Sequence, residues 1–108
     1  MGRLNLGEFE QLVLLACLRL EDEAYTVAVL EELEAAGRSA SHAAVYIALR
    51  RLEERGLVAS RQVGPGEGRG GRPRRIFTVR PEAHRLLSEY RDTYLTMWQG
   101  VEIPGGAR

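Results

Sequence analysis

The stretch AVYIALRRLEERGLV, residues 44–58, has the apolar spacing of an amphipathic helix that ends at a glycine. Its apolar side chains recur at three- and four-residue steps, which places them on one side of a helix from about residue 42 to residue 55. They are Val45, Ala48, Leu49 and Leu52. Ser41 or Ser39 is expected to cap the start of this helix, and Gly56 to end it.

The opposite side of this helix carries little charge, which is unusual for a surface that has no partner. Its members are Ala43, Tyr46, Ile47 and Arg50. Ala43 permits a close approach, Tyr46 can donate its hydroxyl to a phosphate, and Arg50 can reach a phosphate or a guanine edge in the major groove of DNA. The alternative is an ordinary surface helix with one tyrosine half buried against a neighbour, and the helix alone does not decide between the two.

Charge is distributed unevenly along a chain of 108 residues whose net charge is zero. Residues 41–80 carry nine arginines against three acids, a net charge of +6. Residues 1–40 carry three arginines against eight acids, and residues 81–108 three against four, giving −5 and −1. Because phosphate responds to the local field, the middle third of the chain favours a nucleic-acid partner.

Two short strands, at about residues 57–63 and 75–79, follow the third helix and predict an antiparallel hairpin. The glycine-rich segment between them, residues 64–73, predicts a long, mobile tip. Four arginines at or near this tip can follow the DNA backbone or enter the minor groove. They are Arg69, Arg72, Arg74 and Arg75. Residues 66–71 also match G-x-G-x-x-G, but they lead into a strand, whereas a dinucleotide-binding fingerprint opens a helix.

Two helices are predicted before this region. Residues 6–20 form a helix whose run from Leu12 to Leu18 is apolar nearly all round, which predicts that this helix is central to the core. Residues 26–36 form a second, which Thr26 is expected to cap and Gly37 to end. Cys17 lies within the first helix and is interpreted as an inert buried thiol.

The residue counts exclude several kinds of site. A single cysteine forms neither an internal disulfide nor a cysteine-based zinc site. All 15 basic residues are arginine, which excludes a P-loop lysine and a lysine Schiff base. His42 and His84 are not at ligand spacing and no serine has a plausible base, so we expect no metal, no cofactor and no enzymatic activity. No apolar run reaches the ~18 residues of a membrane span and there is no signal-peptide pattern, so we expect a cytoplasmic protein without a membrane partner.

A last helix, about residues 81–99, would be roughly 28 Å long and carries an apolar stripe. Its members are Leu87, Tyr90, Tyr94, Met97, Trp98 and Val101. Either the stripe covers its own core, or, as we expect, it is buried between two copies in a two-fold homodimer. Trp98 with Tyr90 and Tyr94 could instead line a pocket for a small, flat aromatic effector, although simple packing is favoured. Residues 100–108 are predicted to be a disordered tail.

Three stretches of the chain, in this order and spacing, resemble the PadR family of bacterial transcriptional regulators. They are LGEFEQLVLLACLRL (6–20), AVYIALRRLEERGLV (44–58) and RGGRPRRIFTVRPEAHRLL (69–87), and the resemblance spans about residues 4–99. It implies a winged helix-turn-helix: an α+β, mainly helical fold whose third helix enters the major groove and whose hairpin is the wing. It further implies a C-terminal dimerisation helix and an activity that is usually repression, relieved by a small molecule.

Several positions match the family pattern individually. Tyr46 matches the tyrosine of the recognition helix, residues 51–53 match its Arg-Leu-Glu step, and Arg72 and Arg75 match the basic positions of the wing. Together with the two residues at the start of the helix, the DNA-contacting set predicted on the recognition helix is Ser41, His42, Ala43, Tyr46, Ile47 and Arg50.

The chain also departs from the family pattern. Ala43 stands where related sequences often carry glycine, which bears on base preference. Arg80 and Ala83 replace a threonine and a glycine, which bears only on how the last helix begins. The helical wheel directs Arg51 towards the protein, so we expect it to pair with an acid of the first or second helix.

The sequence thus predicts a DNA-binding domain over residues 4–80, a dimerisation helix over 81–99 and a tail over 100–108. The predicted function is sequence-specific binding of double-stranded DNA. We expect the protein to be a transcriptional repressor that recognises an inverted repeat as a homodimer. The alternative is a winged-helix module that binds another protein and no specific DNA.

Overall fold

Three helices, a two-stranded hairpin and a fourth helix follow one another in the predicted order. The computed structural model describes residues 5–64 and 73–104. Its elements are α1 (Glu8–Leu20), a single 3-10 turn (Glu21–Glu23), α2 (Thr26–Ala35), α3 (His42–Glu54), β1 (Val58–Val63), β2 (Arg74–Val79) and α4 (Pro81–Trp98). The mainly helical α+β class with an antiparallel hairpin is confirmed, and the 3-10 turn has no predicted counterpart.

Two of the predictions concern segments that the structure describes only in part. Arg69 and Arg72, at the predicted hairpin tip, lie outside the described residues, as do residues 105–108 of the predicted tail. Within the described part of that tail, Gly100 has φ +78° and the Val101 N–H donates to the Trp98 carbonyl at 2.9 Å, which ends α4.

The hydrophobic core lies between α1, α2 and α3 and is closed by the hairpin and the start of α4. Its largest fully buried side chains are Phe77, Leu14, Leu49, Leu52, Leu57, Val13, Val29, Val45 and Val58. All four residues predicted for the inner side of α3 are buried. Since burying one such leucine contributes roughly 1.5–3 kcal/mol, these contacts determine which side of α3 faces outwards.

Both ends of α3 are formed as the sequence predicts. Ser41 is the cap: its Oγ accepts a hydrogen bond of 3.0 Å from the Ala44 N–H. At the other end Gly56 has φ +78°, a conformation that favours glycine, and the Leu57 N–H donates to the Leu52 carbonyl at 2.9 Å. The chain therefore leaves α3 in a fixed direction and enters β1.

The start of α2 differs from the prediction. Thr26 is not its cap but its first helical residue, and Tyr25 occupies the cap position without a side-chain bond. The reason is a contact distant in sequence: Tyr25 forms an antiparallel bridge with Ile76, and the Phe77 N–H donates to the Ala24 carbonyl at 3.1 Å. Because residues 24–25 extend along β2, the helix begins only at the next residue, and the hairpin is fastened beside α2.

Helix α4 packs on the core only through its first turns. Ala83, Leu86 and Leu87 are buried, whereas every residue from 91 to 98 is exposed. Leu87, predicted at the dimer interface, thus belongs mainly to the core of the single chain. Across the described residues, no helix combines the length and the apolar character that crossing a bilayer requires.

Candidate nucleic-acid interface

The outer face of α3 consists of the predicted set Ser41, His42, Ala43, Tyr46, Ile47 and Arg50. All six residues are exposed. Ile47 has 50% of its surface exposed and Tyr46 39%, so two large uncharged side chains stand in solvent next to an arginine. This combination leaves apolar contact area, a phenolic hydroxyl and a guanidinium available to a partner.

Arg50 is held in place by two neighbours on its own helix. Its Nη1 donates to the Tyr46 hydroxyl at 2.9 Å, and its guanidinium carbon lies 5.7 Å from the centre of the Tyr46 ring. Its Nε lies 3.3 Å from Glu53 Oε1, an i,i+3 ion pair. The guanidinium is therefore positioned across the outer face of α3 before any partner arrives.

A chain of polar contacts joins this helix to the hairpin. Glu53 Oε2 accepts from Ser60 Oγ at 2.7 Å, and Ser60 Oγ in turn accepts from Arg75 Nη1 at 2.9 Å. The second guanidinium nitrogen of Arg75, Nη2, donates to Gln62 Oε1 at 3.1 Å. Two of the predicted DNA-binding arginines, Arg50 and Arg75, are thus linked through a single carboxylate.

Arg74 lies at the hairpin base, which we define as Arg74 and Arg75. Its guanidinium carbon is 3.8 Å from the centre of the Tyr25 ring, a close cation–π contact. A recess of about 180 Å³ separates the hairpin base from the starts of α2 and α3. It is lined by Tyr25, Thr26, Val27, His42, Arg74 and Arg75. The hairpin base and the outer face of α3 therefore border one another.

The prediction for Arg51 is wrong. Arg51 is exposed and forms no side-chain ion pair or hydrogen bond within the described residues. The pairing expected of it is made one turn later by Arg55, whose Nη1 lies 3.1 Å from Glu10 Oε1 of α1 and whose Nη2 donates to the Asn5 carbonyl. The end of α3, not its middle, crosses the start of α1, and a single helical wheel does not show where two helices cross.

A second notable surface lies on α1 and α4. Its large apolar side chains are exposed by 44% to 71%, and we call them the apolar face: Leu15, Tyr94, Leu95, Met97, Trp98 and Val101. Beside it runs a groove of about 540 Å³ whose lining includes Leu15, Leu18, Leu87, Tyr90 and Tyr94, but not Trp98. Leu15 and Leu95 were missed by sequence reasoning; the apolar run around α1 is the signal that could have indicated Leu15.

Tyr90 and Tyr94 also form hydrogen bonds within the chain. The Tyr94 hydroxyl donates to Gln11 Oε1 at 3.3 Å, and Gln11 Nε2 donates to the Leu6 carbonyl at 3.1 Å. The Leu6 N–H donates to the Tyr90 hydroxyl at 2.9 Å. These bonds tie α4 to the start of α1, so the two tyrosines fix the direction in which α4 leaves the core.

The structure also places the single thiol and the candidate metal-ligating side chains. Cys17 is buried, and burial raises the pKa of its thiol to about 12, which keeps it protonated and unreactive near neutral pH. Residues 5–64 and 73–104 contain no cluster of three or more histidine, cysteine or acidic side chains that could hold a metal ion.

Comparison with known proteins places this fold in a family. The family model described as "Transcriptional regulator PadR-like family" matches residues 14–89, which is well over half of the chain. The chain belongs to the PadR-like family. The resemblance in the sequence is thereby confirmed, and this family consists of regulators rather than enzymes.

Solved structures agree with the PadR-like assignment. A PadR family transcriptional regulator from Eggerthella lenta DSM 2243 is 28% identical, with a TM-score of 0.68 over 86% of this chain and 81% of that one. A PadR family regulator from Clostridium difficile R20291 is 15% identical, with a TM-score of 0.72 over 84% and 92%.

The fold also matches Bacillus subtilis PadR, solved in complex with operator DNA, at 15% identity and a TM-score of 0.65. That match covers 96% of this chain and 54% of the Bacillus protein. No curated protein matches the chain.

Proposed function

We propose that this PadR-like protein is a sequence-specific DNA-binding repressor that recognises an inverted repeat as a homodimer. The observation that carries the proposal is the continuity between the outer face of α3 and the hairpin base. Arg50 and Arg75 are joined through Glu53 and Ser60, so both arginines belong to one surface. The operator-bound Bacillus relative of the same fold supports DNA as the partner.

On this surface, each element has a distinct contact to make. The outer face of α3 enters the major groove, where Arg50 reaches a guanine edge or a phosphate and Ile47 supplies apolar contact. The hairpin base contacts the adjacent backbone, with Arg74 set in place by Tyr25. The positive recess beside His42 fits a phosphate group of the same strand.

The apolar face supports the homodimer. Six large apolar side chains on one side of a small protein exceed what a monomer usually leaves in water. A second copy packed against α1 and α4 buries them by an isologous contact. Two outer faces of α3 then reach successive major grooves, roughly 34 Å apart.

The groove beside the apolar face suits a small aromatic effector. Its lining is mainly apolar, with Gln11, His84 and Arg91 as polar groups that could orient a planar carboxylate. Binding there would change how α4 leaves the core and so the spacing of the two helices. Titration with a planar aromatic carboxylate such as salicylate, followed by Trp98 fluorescence, tests this part; unchanged fluorescence and DNA affinity would exclude salicylate as the effector.

A repressor of this kind would act in the cytoplasm, together with the DNA.

Selection of bound duplexes from a random DNA pool tests the proposal as a whole. We expect enrichment of an inverted repeat whose halves are about ten base pairs apart, with an affinity that falls steeply as salt rises. No enriched sequence, together with salt-insensitive capture of a protein partner, would instead support the protein-interaction module.

A further inference from the structure

Glu53 is an acid placed between two arginines that are proposed to contact DNA. It is one of three acids between residues 41 and 80, and its side chain is 29% exposed. A negative charge at this place opposes the phosphates of any duplex, whatever its sequence. A surface that bound DNA by charge alone would therefore bind more tightly without Glu53.

The contacts of Glu53 show what the charge does for its neighbours. Oε2 is bonded to Ser60, which also accepts from Arg75. Oε1 is buried and has no hydrogen-bond donor among the described residues; Arg50 Nε lies 3.3 Å away without the alignment of a hydrogen bond. The attraction to Arg50 is thus electrostatic, and the guanidinium remains able to turn towards a partner while its position is held.

We propose that Glu53 is a positioning residue for specificity: it presets Arg50 and Arg75 for the target sequence, while its charge lowers the affinity for DNA in general. This inference rests on the proposed function. Holding a flexible arginine in advance reduces the ordering cost of binding, and that gain is realised only where a base edge meets the guanidinium. The repulsion of phosphate is felt on every sequence and lowers all affinities alike, so it is the presetting of Arg50 that widens the difference between target and non-target DNA.

The test compares Glu53→Gln with Glu54→Gln. Both variants remove one negative charge from the end of α3, but Glu54 is exposed and has no side-chain contact with Arg50 within the described residues. The probes are the duplex selected by the wild-type protein and a scrambled duplex of the same length and composition. Dissociation constants are measured by fluorescence anisotropy at low and at physiological salt.

We expect Glu53→Gln to bind the scrambled duplex about threefold more tightly than Glu54→Gln does at low salt. The ratio of scrambled to selected dissociation constants should fall about fivefold in Glu53→Gln and stay within about twofold in Glu54→Gln. In an Arg50→Ala background, the same Glu53→Gln change should leave most of that ratio unaltered, because Glu53 acts through Arg50.

Ser60→Ala provides a second variant that changes no charge and remains informative if Glu53→Gln does not fold. Loss of the Ser60 hydrogen bond releases Glu53 and, with it, Arg50, so the selected duplex should weaken about threefold more than the scrambled duplex. Equal ratios in Glu53→Gln and Glu54→Gln, or a uniform loss on both duplexes with a lower Tm, would overturn the positioning role. A wild-type protein that fails to discriminate between the two duplexes would instead contradict the proposed function itself.

Discussion

At the scale of single residues, the proposed DNA interface depends on which arginines are already bonded to other parts of the protein. Arg55 is tied to Glu10 and Asn5, while Arg50 is held on the outer face of α3 by Tyr46 and Glu53. Arg51 lies between them in sequence and is unattached within the described residues. Neighbouring residues of one type therefore have three different roles, which depend on the element that each side chain meets.

Replacing Arg50 by alanine tests its role in reading DNA. Arg50→Ala should weaken binding to the selected duplex by about 1–3 kcal/mol, the range for an arginine that contacts a base edge. Arg51→Ala removes the same charge from the same helix and should cost less, uniformly across sequences. Dissociation constants of both variants are measured on the selected and the scrambled duplex. Equal losses of affinity in the two variants would mean that Arg50 contributes charge alone.

Cys17 gives a prediction that is independent of DNA. Because the pKa of its thiol is raised to about 12 from an ordinary value of 9.0, the folded protein should not react with a thiol reagent at pH 8 until it unfolds. The raised pKa also means that the folded state retains this proton longer than the unfolded chain. Its contribution to stability is complete below about pH 9 and is lost as pH rises towards 12. Rapid stoichiometric labelling without denaturant would show that the thiol is accessible.

At the scale of elements, the interface depends on the direction in which the chain leaves α3. Gly56 has φ +78°, and a Cβ added to it would meet no atom within 4 Å. Gly56→Ala should therefore cost about 1–2 kcal/mol from backbone strain alone. Gly7→Ala is the matched control, since it too meets nothing within 4 Å and its φ of −73° suits alanine. Urea unfolding measures both; similar stabilities would remove Gly56 as the residue that fixes this turn.

The sequence predicts most element boundaries to within two residues, because local spacing, Ser41 and Gly56 all act locally. It does not predict the 3-10 turn or the cap position of Tyr25, since both depend on β2, some fifty residues further along the chain. The Glu53 contact with Arg50 was detectable as an i,i+3 pair. The hydrogen bonds that connect Glu53 to Ser60 and Ser60 to Arg75 could not be predicted, because they depend on where the hairpin lies relative to α3.

At the scale of the whole molecule, part of the negative charge of the first third of the chain is neutralised away from the proposed DNA-binding surface. Several acids of α1 and α2 are paired with arginines outside the interface, as in Arg19 with Glu32 and Arg38 with Glu8. Within the described residues, the ion pairs give Arg50 one acid partner, Glu53, and leave Arg74 and Arg75 without a carboxylate of their own. A net charge of zero is thereby compatible with a partner that is strongly negative.

The apolar face predicts the assembly. Leu95 is 59% exposed on α4, and Leu95→Glu should convert a micromolar homodimer into a monomer, because an unpaired charge would be buried at the contact. Val27→Glu is the control, since Val27 is 51% exposed but lies on α2 away from α4. Sedimentation velocity distinguishes the species; a wild-type protein that is already monomeric at micromolar concentration would rule out the dimer.

Site-specific photo-cross-linking shows whether the outer face of α3 lies in the major groove on both halves of a dimer, as we propose. The cross-linker replaces Ile47, which is 50% exposed and has no hydrogen-bonding role, and in a parallel variant it replaces Glu31, exposed on α2. We expect cross-links from position 47 to bases of the selected duplex at two sites about ten base pairs apart, and none from position 31. Cross-links from position 31 with none from position 47 would contradict this placement of α3.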